Sequence, residues 1–202
     1  MIHKAPFNLV VCGVGGQGNI LISRLIGRIL AARKYMVSIG ETFGAAQRGG
    51  SVVSCLRISK GRLYGPIVPE GQADVILSLE PLEALRQLKV LGNPSVLVLT
   101  NTKAVQPVEV LIGQKTYPDF HRLKAAVTHL SQKAWFVPAT EIAMEIGAPI
   151  ITNIVMLGAL IGIGAMGIGL DEAEAEVQAT IPASKVDINL KALKRGYREI
   201  AN

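Results

Sequence analysis

The sequence predicts an α/β fold: a mostly parallel sheet with helices on both faces and a helical C-terminal region. Three observations predict it. Short continuous apolar runs recur where strands belong, as expected of strands buried on both faces. Amphipathic stretches at helical spacing separate them. A glycine-rich turn, Gly13-Val14-Gly15-Gly16-Gln17-Gly18, joins the first run directly to the first such stretch, which makes the expected fold Rossmann-like. With 202 residues, 50% of them hydrophobic, the chain is long enough to bury a real core, and its length suits one domain over 1–202.

The elements follow in order. Phe7 to Cys12 is apolar and bounded by glycine, the pattern of a central parallel strand. The helix from Gln17 to Arg33 carries an apolar stripe of Ile20, Leu21, Leu25, Ile29 and Leu30, with Arg24 and Arg28 on another face. Val37 to Thr42 then reads as a second strand completing a βαβ unit. Ser51 to Ser59 alternates, Val52, Ser54, Leu56 and Ile58 against Val53, Cys55 and Arg57, and closes at a Lys60-Gly61 turn. Val75 to Leu79 and Val96 to Leu99 are further buried strands. Between them lies a helix opened by Pro81, where proline sacrifices no hydrogen bond, and ended near Gly92. Asp119 to Leu130 has helical spacing, and Trp135 to Val137 supplies the last strand.

The remainder reads as helical. Ile146 to Leu170 carries no charge, over a length at which a membrane span must be weighed. Gly158, Gly162, Gly164, Gly167 and Gly169 are expected to break its second half, and Pro149, Thr152 and Asn153 open it. The expectation is a buried core helix and no membrane. Asp171 and Glu174 read as a capping pair for a helix stopping at Pro182. In the final helix Val186, Leu190, Leu193, Tyr197 and Ile200 form a narrow apolar seam, suited to docking on the domain or on another subunit.

The charge of +6 is dispersed among acidic residues, and no basic run is interleaved with aromatics, so nucleic acid is not an expected partner. Cys12 and Cys55 each sit in an apolar strand pattern without a CxxC pair, which implies reduced thiols and no metal or redox centre. The opening MIHKAPFNLVVC lacks an export signal, and a cytoplasmic location is expected. His3, His121 and His129 have no metal spacing, no GxSxG elbow occurs, and Glu80 with Glu83 reads as charge at a helix start. No catalytic residue and no metal ligand is expected in this chain.

Binding is another matter. Gly13, Gly15 and Gly18 fit GxGxxG between strand and helix, where a tight turn and a helix N-terminus hold an anion, with Gly16 and Gln17 in the same turn. A second glycine-rich loop, Gly44 to Ser51, follows the second strand. There Arg48 offers a forked cationic donor, and Gln47, Gly49, Gly50 and Ser51 bare polar groups beside it. Two such loops after neighbouring strands converge at the carboxyl edge of a parallel sheet, and Asn101 and Asn153 are placed to line that edge or to cap helices. Glu41, at the end of the second strand, stands where a dinucleotide fold puts its ribose-binding acid, so an NAD-dependent dehydrogenase is the rival reading. A noncatalytic nucleotide-binding assembly protein is a third.

GVGGQG (Gly13–Gly18), AQRGGSVVS (Ala46–Ser54), PEGQADVILSLEPLEALR (Pro69–Arg86), Tyr117-Pro118 and NIVMLGA (Asn153–Ala159), in this order, resemble the gamma-type subunits of 2-oxoacid:ferredoxin oxidoreductases. Within that family the pattern is most similar to the beta subunit of the indolepyruvate type. The resemblance implies a multi-subunit enzyme that decarboxylates a 2-oxoacid on thiamine diphosphate, reduces ferredoxin through iron–sulfur clusters and yields an acyl-CoA. It also implies that thiamine diphosphate, Mg2+ and the clusters belong to a large alpha-type partner, because this chain has no Gly-Asp-Gly motif and no cysteine clusters. CoA or the partner's thiamine site would then face the two glycine loops, and the isolated chain would be inactive. Phe43, Ala45 and Cys55 depart from the arylpyruvate pattern beside the second loop, which bears on which 2-oxoacid is used.

Overall fold

The computed structural model describes residues 2, 4–42, 50–106, 110, 112–114 and 116–201. Among these residues a six-stranded sheet runs in the order β2-β3-β1-β4-β5-β6. The strands are β1 (Phe7–Val14), β2 (Met36–Glu41), β3 (Ser51–Ser59), β4 (Val75–Ser78), β5 (Leu97–Asn101) and β6 (Lys133–Val137). β1, β4, β5 and β6 are parallel neighbours, and β3 is antiparallel to both β1 and β2. The helices are α1 (Asn19–Ala32), α2 (Pro81–Leu91), α3 (Phe120–His129), α4 (Ala139–Ile146), α5 (Thr152–Gly162), α6 (Leu170–Thr180) and α7 (Ala183–Ala201).

β1 is buried along its whole length, so its side chains alternate between two cores. Leu9 and Val11 join Leu25, Ile26 and Leu30 of α1 and the apolar side chains of α5 on one face. Val10 and Cys12 join Ala84 and Leu88 of α2 and Val127 of α3 on the other. The α/β class with helices on both faces is as the apolar runs require.

One expectation is corrected. β2 runs parallel to β1, as a βαβ unit requires, but is not its neighbour, because β3 lies between them, antiparallel to both. The connection after β2 is too short for a crossover helix, which leaves an antiparallel return, and the alternation of β3 already carried that signal. Glu41 therefore stands two strands from β1, about 10 Å across the sheet, and not beside the glycine turn as a ribose-binding acid would.

The charge-free stretch holds the expected buried core helix, but Gly158 does not break it: α5 runs through Gly158 to Gly162, and the positive-φ glycines of the stretch are Gly147 before it and Gly164 and Gly167 after it. Gly158 serves close packing: a Cβ there would lie 2.0 Å from the Leu193 carbonyl oxygen of α7, and one on Gly196 would lie 1.9 Å from that of Val155. The fully buried line of α7 is Asn189, Ala192, Leu193 and Gly196; of the expected seam Leu193 belongs to it, and Leu190, Tyr197 and Ile200 are half-buried against the same core, so the helix docks on the domain itself. No helix among the described residues is long and apolar enough to cross a membrane. At α6 the cap is Glu172, which accepts the Gly169 N–H at 2.7 Å and pairs with Arg33, in place of the expected Asp171 and Glu174.

Candidate functional site

The site candidates gather at the carboxyl edge of the parallel strands. β1 passes its chain to α1 on one face of the sheet, and its neighbour β4 passes its chain to α2 on the other. Chains that part this way leave a crevice between the two strand ends, the usual ligand position in open α/β sheets.

The glycine turn crosses that crevice. Gly16 and Gly18 have φ of +99° and +89°, the left-handed region that glycine enters without strain. Gln17 closes the turn from inside: its Oε1 accepts the Val14 N–H at 2.7 Å, and its Nε2 donates to the Leu79 carbonyl at 3.1 Å. Gly13 is tight, since a Cβ would lie 2.7 Å from Gln17 Oε1. Gly18 is tighter, at 2.2 Å from Asn153 Nδ2, whereas Gly16 faces open space. The N–H groups of Gly16, Gly18, Asn19 and Ile20 meet no acceptor among the described residues. They form a row of free donors at the positive end of α1, the chemistry that holds a phosphate or carboxylate.

The second loop reaches the first. The Gly15 N–H donates to the Gly50 carbonyl at 2.8 Å, and Ser51 stands opposite Val14 in the ladder. The antiparallel β3 thus begins where β1 ends, so the loops meet although their strands β1 and β2 are not adjacent. Gln47, Arg48 and Gly49 lie outside the described residues, as do Phe43, Ala45 and His3. Asn101 donates through Nδ2 to the Leu79 carbonyl at 3.2 Å and to Thr140 Oγ1 at 2.9 Å. Gln17 and Asn101 therefore share one acceptor and brace the ends of β1, β4 and β5. Asn153 packs on Gly18 and accepts the Ile154 N–H at 2.9 Å.

Two cavities flank the turn. One of about 380 Å³ is lined by Gly15, Gly16, Gly18, Asn19, Thr42 and Val52. The other, about 340 Å³, lies over the crevice between Gly16, Gln17, Leu79, Lys103, Thr140 and Thr152. Gly16 belongs to both. Asn19, which sequence reasoning did not single out, donates to the Val52 carbonyl at 3.2 Å, and its buried Oδ1 has no partner among the described residues.

Beside the crevice lies a buried acid network that the sequence reading treated only as helix-start charge. Glu80 does cap α2, accepting the Glu83 N–H at 2.9 Å, but it is also 1% exposed and is hydrogen-bonded by the Tyr117 hydroxyl. Burial pushes its carboxyl above the ordinary glutamate range, more strongly than the Tyr117 and backbone donors pull it down. Burial, reinforced by the Glu80 carboxylate, likewise raises the Tyr117 hydroxyl. Glu83, 2% exposed, accepts from Ser51 Oγ at 2.5 Å and pairs with Arg86. The network ties the end of the second loop and the segment around Tyr117 to α2. The available signal was two acids three residues apart after a fully buried strand, where both must come indoors. Cys12 is buried in the same wall, and desolvation holds its thiol well above the ordinary range, so it is an inert hydrophobe.

The residues fit a phosphate-bearing ligand: free amides, an open glycine and Lys103 at the rim. They do not fit a metal centre, since no three His, Cys, Asp or Glu side chains cluster among the described residues.

Comparison with known proteins gives this edge its context. The chain is 41% identical over 192 residues to the indolepyruvate oxidoreductase subunit IorB of Archaeoglobus fulgidus, covering 95% of this chain and 94% of that one. The crystal structure of the gamma subunit of a keto/oxoacid ferredoxin oxidoreductase from Geobacter sulfurreducens has the same fold, with a TM-score of 0.69 at 22% identity over 96% of this chain and 98% of that one. The 2-oxoglutarate:ferredoxin oxidoreductase of Magnetococcus marinus, with 2-oxoglutarate, coenzyme A and succinyl-CoA bound, contains the fold too: the TM-score is 0.75 at 21% identity, over 98% of this chain and 31% of that longer one. The family profile of pyruvate ferredoxin/flavodoxin oxidoreductase matches residues 8–199, nearly the whole chain, and the protein belongs to that family.

Proposed function

We propose that this chain is the small subunit of a CoA-dependent oxidoreductase acting on indolepyruvate or a related arylpyruvate, and that its two-loop edge receives CoA. The observation that carries the reading is the Gly15 to Gly50 hydrogen bond. It makes one surface of the free amides at the start of α1 and the end of the loop bearing Arg48. A pyrophosphate accepts from such amides, and a guanidinium complements its charge.

In this reading residues 1–202 form one gamma-type domain that binds and orients. A large partner subunit holds thiamine diphosphate, Mg2+ and iron–sulfur clusters, and thiamine diphosphate there supplies the carbanion chemistry of decarboxylation. Gly16, which faces open space, lets the ligand approach the backbone, and Gln17 and Asn101 hold the strand ends at fixed spacing through the Leu79 carbonyl. The 41% identity to an indolepyruvate oxidoreductase subunit over matched lengths supports the substrate class, and a cytoplasmic setting is part of the proposal.

Anaerobic co-purification with the candidate large subunit, followed by CoA-dependent ferredoxin reduction on a panel of 2-oxoacids, tests this. Arylpyruvates are expected to turn over fastest, and only when this chain is present. Preference for pyruvate or 2-oxoglutarate would refute the substrate class, and turnover without the chain would refute its role. Arg48→Ala is expected to raise KM for CoA about tenfold, the loss of one charge-assisted contact, with the melting temperature unchanged. An unaltered KM removes Arg48 from the site.

A further inference from the structure

We infer that the outer edge of β2 is the seat of an extended, acidic segment of the larger partner subunit, added to this sheet as a seventh strand; the inference rests on the reading that such a partner exists. β2 is paired only with β3, so among the described residues its other side presents a row of unmet backbone groups. Natural edges are blunted by lysine, proline or a bulge, and the opposite edge of this sheet shows it: β6 opens with Lys133, whose ammonium lies 4.6 Å from the Trp135 ring centroid. β2, reading Met-Val-Ser-Ile-Gly-Glu, has none of these devices.

Grooves flank β2 on both faces. On the α1 side a groove of about 510 Å³ runs between Leu21, Arg24, Arg28, Val37 and Ile39. On the other side one of about 550 Å³ runs between Ser38, Leu63, Tyr64 and Pro66. A strand sends successive side chains to opposite faces, so an added strand fills both grooves, whereas a docked helix fills only one. Met36 and Leu63, 44% and 67% exposed, mark the apolar floor that such side chains would cover.

Charge selects the occupant. Arg24 lines the α1-side groove beside Arg28, which is itself paired with Glu176, and Arg62, stacked on Tyr64, stands at the other. A second copy of this chain, with net charge +6, would bring α1 and its arginines against their own kind across the new ladder, where like charges repel. A partner strand alternating apolar residues with Asp or Glu meets these grooves without that penalty.

The test uses the full chain assembled with the large subunit. Amide hydrogen exchange is expected to slow at Met36–Glu41 on assembly. Arg24→Glu and Met36→Lys, both surface changes, are expected to weaken assembly about tenfold or more, while Val90→Lys on the far side leaves it unchanged. A wild-type complex in which β2 exchange and these variants change nothing overturns the inference and leaves the proposed function standing. Slowed β2 exchange in the isolated chain, with concentration-dependent dimerisation lost in Met36→Lys, makes the occupant a second copy and overturns it as well. If the wild-type chain joins no large subunit, both readings fall.

Discussion

Gly18 and Gly16 share a backbone conformation but not surroundings. Both have positive φ, so alanine at either costs about 1–2 kcal/mol of backbone strain. Only at Gly18 would the new methyl meet a neighbour, 2.2 Å from Asn153 Nδ2. Gly18→Ala is therefore expected to lower the unfolding midpoint well beyond Gly16→Ala in matched denaturant titrations, and Gly16→Ala to act mainly on ligand affinity. Equal destabilisation would mean that Asn153 yields freely. At Glu80 the question is protonation. Its carboxyl is raised in the folded state, so between the ordinary glutamate pKa and the raised one the folded chain holds more proton than the unfolded chain, and stability falls as pH rises through that window. Glu80→Gln removes this dependence. Its stability is expected to vary less with pH than that of the native chain above the ordinary glutamate range, measured as unfolding free energy against pH; parallel curves would show that Glu80 titrates normally.

At the scale of elements, the α5 and α7 pair depends on glycine for a reason that helix propensity opposes. Gly158 and Gly196 each cost about 1 kcal/mol of helix propensity relative to alanine, yet they let two backbones touch. Gly196→Ala improves the helix and still places a methyl 1.9 Å from the Val155 carbonyl. The expected net result is destabilisation by about 1–3 kcal/mol, the cost of overpacking, and any gain in stability would show that α7 slides aside cheaply. The glycines were legible in the sequence and their purpose was not. Inside an apolar stretch they read as helix breakers, because the partner backbone that needs the space lies some forty residues away.

For the whole molecule, the two cores share β1, β4 and β5, since alternate residues of each strand face opposite sides. Neither face can then be lost alone, and the isolated chain is expected to unfold in one cooperative step. At roughly 0.7 kcal/mol per residue near 60 °C, 202 residues imply a calorimetric enthalpy of about 140 kcal/mol, matched by the van't Hoff value. Two resolved transitions would separate the α5–α7 layer from the sheet.

The sequence by itself determined the strands, the helices and the glycine turn, because apolar period, proline and glycine act over a few neighbouring residues. It also carried the family, through motifs whose order survives without knowledge of pairing. Tertiary structure alone decided that β3 inserts between β1 and β2, which brings the two loops into contact and carries Glu41 away from the turn. It alone spent Gln17 and Asn101 on the Leu79 carbonyl and drew Glu80, Glu83, Ser51 and Tyr117 into one buried network. Those outcomes depend on which buried polar group finds which partner across the fold. That choice is made by the satisfaction of hydrogen bonds out of water, and no local pattern records it.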